Sequence, residues 1–94
     1  VLKRNEKAIK NKITDLSRYL NLPNPSFQSF LDWVIDLRKL LKIPHTLKDL
    51  IHDDSKLEIM SEMALNDPST ASNPIKLEKN DFLNLYKNSF NGLL

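Results

Sequence analysis

His45 and His52 are the two imidazoles of the chain, and Asp49, Asp53 and Asp54 lie close to them in sequence. Imidazole and carboxylate together are the ligand chemistry of a divalent metal site. The spacing argues against one. Histidines at i, i+4 on one helix share a face, whereas these two are seven apart and flank separate turns, with no third nitrogen ligand available. Capping and surface roles are the expectation for both. Asp53 and Asp54 read as charges at a helix start rather than as an acid/base pair. No histidine has a clear claim to activate a serine or threonine, and no G-x-S-x-G occurs. The single glycine, Gly92, cannot build a phosphate-cradling loop, and no G-x-G-x-x-G is present. There is no cysteine, so neither a disulfide framework nor a thiolate site is expected.

The elements that would carry any site are helical. Ile9, Ile13, Leu16 and Leu20 recur at i, i+4, i+7 and i+11 and predict a helix over residues 6–20, with Asn5 as its cap. Pro23 and Pro25 break it, because proline removes an amide donor and biases the residue before it away from helix. A second helix begins near Ser26. Phe27, Phe30, Leu31, Val34, Leu37, Leu40 and Leu41 form its apolar stripe, with Trp33 off the stripe's centre and positioned to cover a neighbouring helix. Ile43-Pro44 ends it. Thr46 reads as the cap of a short turn over 47–51. Asp53 and Asp54 then cap a helix over 55–65 that buries Leu57, Met60 and Ala64, flanked by Met63. Residues 66–74 are polar and proline-bounded and read as a loop. A last helix over 79–90 carries Phe82, Leu85, Tyr86 and Phe90 on one side, and Gly92 stops it. No window alternates apolar and polar residues in the manner of a strand. The expected fold is all-α, a compact helical subdomain of four main helices and one short one, in a single domain over residues 1–94.

Composition narrows the partners. With 14 basic and 12 acidic side chains the net charge is +2, too balanced for a nucleic-acid footprint. The basic run Lys3, Arg4, Lys7, Lys10 and Lys12 reads as a solvated helix face, diluted by Glu6 and Asp15. Tyr19, Trp33 and Tyr86 have rings that could stack on bases, but they sit on or beside apolar stripes and are expected to pack. The apolar runs are only a few residues long, so no membrane span is expected. Cytoplasmic localisation is the matching expectation. The chain opens at Val1 rather than at methionine, as a fragment or processed product would.

Three passages resemble the iron-containing alcohol dehydrogenase family. Val1-Leu2-Lys3-Arg4-Asn5 is similar to the phrase that follows the family's metal-binding helix. Leu40-Leu41-Lys42-Ile43-Pro44-His45-Thr46-Leu47-Lys48-Asp49-Leu50 resembles its glycine-isoleucine-proline corner, with Lys42 where glycine is common. Residues 64–86 resemble its closing phrase. That phrase comprises an alanine-bearing helix, the loop Asp67-Pro68-Ser69-Thr70-Ala71-Ser72-Asn73-Pro74, and a capped terminal helix with Leu85-Tyr86. Leu16-Ser17-Arg18-Tyr19-Leu20 and Phe30-Leu31-Asp32-Trp33 extend the likeness to nearly the whole chain.

The resemblance implies a two-domain parent enzyme. An amino-terminal domain would bind NAD or NADP. A helical carboxy-terminal domain would supply an aspartate and three histidines to iron or another divalent metal. Neither His45 nor His52 matches these ligands, so the implied ligands precede Val1. The fragment is then expected to hold no cofactor and no catalytic residue, to be inactive alone, and to have the remainder of the parent as its partner. Self-association through uncovered apolar surface is a further expectation. The resemblance also places Ser69, Thr70 and Asn73 on a wall of the substrate cleft. A plainer reading stands beside it, in which Asn73 and Pro74 only order a turn. A rival for the whole chain is an independent helical module that binds another protein's helix.

Overall fold

The first helix, α1 (Glu6–Tyr19), follows from the Ile9/Ile13 stripe and stops where the chain reaches Asn21. Asn21 is left-handed at φ +53°. Its N–H donates to the Arg18 carbonyl at 2.9 Å and the next N–H, of Leu22, reaches back to Ser17 at 3.0 Å. These two bonds make the Schellman close of a helix. The same geometry ends α2 (Phe27–Leu40), where Lys42 at φ +55° donates to Lys39 and Ile43 donates to Arg38. It also ends α4 (Lys79–Asn91), where Gly92 at φ +69° is followed by Leu93, whose N–H reaches Asn88 at 2.8 Å. Asparagine and glycine tolerate this conformation, but a lysine there is strained. We expect Lys42→Gly to stabilise the chain by roughly 0.5–1 kcal/mol, the relief of strain outweighing the added freedom of the unfolded chain. A raised urea midpoint with an unchanged slope would show it, and a lowered midpoint would contradict it.

The computed structural model describes residues Val1–Leu94 and contains four α-helices, three short 3-10 turns and no strand. It is all-α, as the periodicity predicts. No helix is long and apolar enough to cross a membrane. Two compact units make up the chain, Val1–Ile43 and Pro44–Leu94.

In the first unit α1 packs on α2. Phe27 and Leu31 are its buried apolar residues. Ser26 starts α2 with a reciprocal cap: its hydroxyl accepts from the Ser29 N–H at 3.0 Å, and its own N–H donates to the Ser29 hydroxyl at 2.9 Å. Several expectations are corrected here. Asn5 is buried and stands at the α1 start, but its side chain makes no cap bond there; a 3-10 turn, Lys3–Asn5, leads into the helix instead. Leu16 and Leu20 remain partly exposed, while Ser17 is fully buried with its hydroxyl donating to the Thr14 carbonyl at 2.7 Å. Leu40 and Leu41 belong to no core. They are 78% and 60% exposed, because the helix stops at Leu40 and the chain turns left-handed at Lys42. Trp33 is 38% exposed and meets Phe30 of its own helix, with ring centroids 5.6 Å apart.

In the second unit α3 (Leu57–Leu65) packs on α4. Leu57 and Leu77 are its buried apolar residues, and Ser61 is fully buried beside them in the unit, its hydroxyl donating to the Leu57 carbonyl at 2.6 Å. Met60 and Ala64 are half-buried, whereas Met63 is 67% exposed. Lys79 at the start of α4 reaches Glu62 at 3.5 Å and Glu58 at 3.9 Å on α3. Such exposed pairs each contribute under about 1 kcal/mol, so the apolar contact carries the packing.

The start of α3 differs from expectation. The helix begins at Leu57 rather than at residue 55, since the Asp53 carboxylate turns back to accept from the Ser55 N–H at 2.9 Å and from the Ser55 hydroxyl. Those bonds hold its carboxyl below the ordinary range, the hydroxyl contributing most, then the amide. Asp54 contributes its backbone carbonyl, which accepts from Leu57 at 3.1 Å. The turn after Thr46 is a 3-10 turn, Leu47–Asp49, and Thr46 makes no side-chain cap to it.

Candidate functional site

Residues 66–74, expected as a loop, hold a 3-10 helix, Pro68–Ser72, because the chain supplies both a cap and a starter for it. Asp67 is extended and its carboxylate accepts from the Ser69 N–H at 2.8 Å and from the Ser69 hydroxyl. Pro68 occupies the first helical position, where a missing N–H costs nothing. This Asp-Pro start was readable as a helix N-terminus in the sequence. Ser69 donates most of the effect that keeps the Asp67 carboxyl below the ordinary carboxylate range: first its hydroxyl, then its backbone N–H.

A carboxylate whose pKa is depressed by folding contributes stability above its unfolded value, about 3.9, and loses it as pH falls through the lower folded value. We therefore expect the Ser69 amide proton to titrate by NMR with a midpoint below about 3.9. The shift should vanish in Asp67→Ala. A midpoint at or above the ordinary aspartate value would contradict the turn.

Thr70 has a different task. Its half-buried hydroxyl donates to the Ala64 carbonyl at 2.6 Å, closing the last turn of α3. The Asn66 side-chain amide caps the Glu62 carbonyl at 2.9 Å in the same turn. With both bonds in place α3 ends without a left-handed residue, unlike the other three helices. Asn73 donates its side-chain amide to the Ile75 carbonyl at 2.5 Å.

Ser69 and Thr70 are brought together on one open hollow of about 430 Å³, lined also by Met60, Met63 and Ala64 of α3, by Asp67, and by Tyr86 of α4. Asn73 stands apart from that hollow. It lines a second one with Leu65, Pro68, Ala71, Lys76 and Leu77, to which Asp67 and Thr70 also belong. Reading helix faces from the sequence favoured packing for Met60 and Tyr86. Their place beside Ser69 depends on how α3 and α4 cross, which no single-helix period encodes.

The histidines do not converge. His45 donates through Nε2 to the Gly92 carbonyl at 3.0 Å, at the C-terminal end of α4, where a polar or positive group suits the helix dipole. A Cβ on Gly92 would stand 3.0 Å from the Thr46 methyl and 3.1 Å from His45 Cδ2, so glycine serves both the left-handed turn and this close approach. Lys48 lies over the Phe90 ring, 5.1 Å from its centroid. No group of three or more His, Asp or Glu side chains comes together that could hold a metal ion.

The "Fe-containing alcohol dehydrogenase family, C-terminal" profile matches residues 1–90, and the chain belongs to that family. Among curated proteins it is similar to an NADPH-dependent butanol dehydrogenase of Clostridium saccharobutylicum, 28% identical over 95 aligned residues. That alignment takes in 93% of this chain and 24% of the relative, so the chain spans about a quarter of the relative's length. No solved structure matches the chain. The iron that the family name implies does not fit the residues present: neither histidine has the ligand neighbours such an ion needs.

Proposed function

We propose that the chain is the carboxy-terminal helical scaffold of an NAD(P)-linked, metal-dependent alcohol dehydrogenase and forms part of its substrate-cleft wall. The observation that carries this reading is the family match over residues 1–90. The relative's name supports nicotinamide-linked oxidation of an alcohol or reduction of an aldehyde as the reaction class. In this reading the metal and the nucleotide are held by the rest of the parent polypeptide, and the 94 residues are inactive alone. That remainder is the partner, and the exposed Leu40, Leu41 and Ile43 suit a chain that packs against more protein. The cytoplasm suits such an enzyme.

The wall is assigned to Ser69 and Thr70 at the first hollow, with Asn73 on the adjoining one that Thr70 also lines. Ser69 is exposed and its hydroxyl donates to Asp67 within the same turn, whereas the half-buried Thr70 donates its hydroxyl to the Ala64 carbonyl. In the full-length enzyme the double substitution Ser69→Ala, Thr70→Ala should change kcat/KM by about tenfold, on the order of a lost neutral hydrogen bond or repositioned wall. Unchanged turnover and selectivity across several alcohols would remove Ser69 and Thr70 from the cleft.

A further inference from the structure

Gly92 closes α4 in the left-handed conformation, as Asn21 and Lys42 close α1 and α2. The first bond of this closure is the longest of the three. The Gly92 N–H reaches the Ser89 carbonyl only at 3.4 Å, whereas the matching bonds of Asn21 and Lys42 are 2.9 Å and 3.0 Å. A contact of that length lies outside the usual range for an N–H···O bond. The turn is held by the next amide, of Leu93, 2.8 Å from the Asn88 carbonyl, which leaves the Gly92 nitrogen weakly engaged. Asn91 stands directly before it, exposed, at the last position of α4. Its side-chain amide donates to the Lys87 carbonyl at 3.0 Å, an exposed bond open to competition from water. Gly92 has no Cβ to shield its nitrogen from the neighbouring side chain. With one glycine in the chain, no other asparagine has such a neighbour. Asn24 and Asn73 each precede a proline, whose nitrogen carries no hydrogen.

We propose that Asn91 is a site of spontaneous deamidation, through a cyclic imide formed with Gly92, and that the product frees the end of α4 from His45. The Gly92 nitrogen, its proton lost to solvent, bonds to the side-chain carbonyl carbon of Asn91. The bond from that carbon to the amide nitrogen breaks, and ammonia leaves with a proton taken from solvent. Water then opens the ring at either carbonyl. One opening gives aspartate at position 91. The other gives isoaspartate, with the main chain running through the side-chain carbon. No electrons are gained or lost, and water is the sole co-reactant. The product fits less well than asparagine. The donor to the Lys87 carbonyl is gone, and a carboxylate sits at the negative end of the helix dipole. Isoaspartate also lengthens the backbone beside a tightly packed glycine, where a Cβ would lie 3.0 Å from the Thr46 methyl and 3.1 Å from His45 Cδ2. The 3.0 Å bond between His45 Nε2 and the Gly92 carbonyl depends on that placement.

The test ages the full-length protein in mildly alkaline buffer and follows each asparagine by peptide mass and by isoaspartate-specific methylation. Asn91 should convert at least about tenfold faster than any other asparagine, because glycine leaves the attacking nitrogen open. Both aspartate and isoaspartate should form. Asn91→Gln keeps an amide at this exposed position, so the fold is retained, but its larger ring closes slowly and the reaction should stop. Deuterium exchange over residues 88–93 should quicken in the aged protein and stay slow in aged Asn91→Gln. An Asn91 as durable as the other asparagines, or aspartate without isoaspartate, would overturn the imide. Conversion without faster exchange would overturn the release of α4.

Discussion

Leu57→Ala lowers the unfolding free energy of the Pro44–Leu94 unit by about 2–5 kcal/mol. Leu57 is 1% exposed, the most deeply buried apolar side chain of the molecule, and it begins the face of α3 that packs on α4. Truncation removes its transfer free energy and leaves a cavity that the neighbouring helix can close only in part. The unit has few other residues of this kind: Leu77 is buried, but Met60, Leu85 and Phe90 are only half-buried. A domain of this size has a modest margin to begin with, so the variant should be substantially unfolded at 37 °C. Leu57→Met should cost under about 1.5 kcal/mol, because it conserves volume. At the surface, Leu40→Ala should move stability by no more than about 0.5 kcal/mol. Circular dichroism against urea separates these cases. Equal midpoints for Leu57→Ala and Leu40→Ala would mean that α3 does not depend on its inward face.

The existence and order of the four helices were legible because each carries an apolar stripe at helical spacing and a proline or glycine beyond it. The α4 boundaries came within a residue, since the stripe of Phe82, Leu85, Tyr86 and Phe90 runs into a single glycine. What stayed hidden was the identity of the deepest residues. Ser17 and Ser61 are fully buried, yet a serine gives no apolar signal. Each hydroxyl is satisfied by a carbonyl of its own helix, so burial leaves no unpaired polar atom. Leu77 was equally silent, an isolated leucine between Lys76 and Glu78 with no period to place it.

Leu40 and Leu41 failed in the opposite direction. Both fit the stripe of α2, but the stripe outlasts the helix, and the turn at Lys42 carries them into solvent. The absence of glycine at Lys42 concealed that turn, although the family corner supplies one at that point. At the candidate site, the resemblance pointed to Ser69, Thr70 and Asn73 as a group. The structure puts Ser69 and Thr70 on one hollow and Thr70 and Asn73 on a second, while the Asn73 side-chain amide donates to the Ile75 carbonyl. Residue types alone do not say which way a hydroxyl is engaged.

The second large effect is a loss of all ligand binding when these 94 residues stand alone. An iron site draws on several imidazole or carboxylate ligands at one point. Here one histidine is committed to the Gly92 carbonyl and no suitable group of side chains assembles. A dinucleotide needs a glycine-rich turn at which backbone amides approach the pyrophosphate. The one glycine of the chain instead terminates α4, pressed against Thr46 and His45. The measurement that bears most directly on the account is anaerobic calorimetric titration of the purified chain with ferrous ion and, separately, with NADPH. The account predicts no one-to-one binding of either in the micromolar range. Stoichiometric micromolar binding of iron or of the nucleotide would place the oxidoreductase chemistry within these helices and contradict the scaffold assignment.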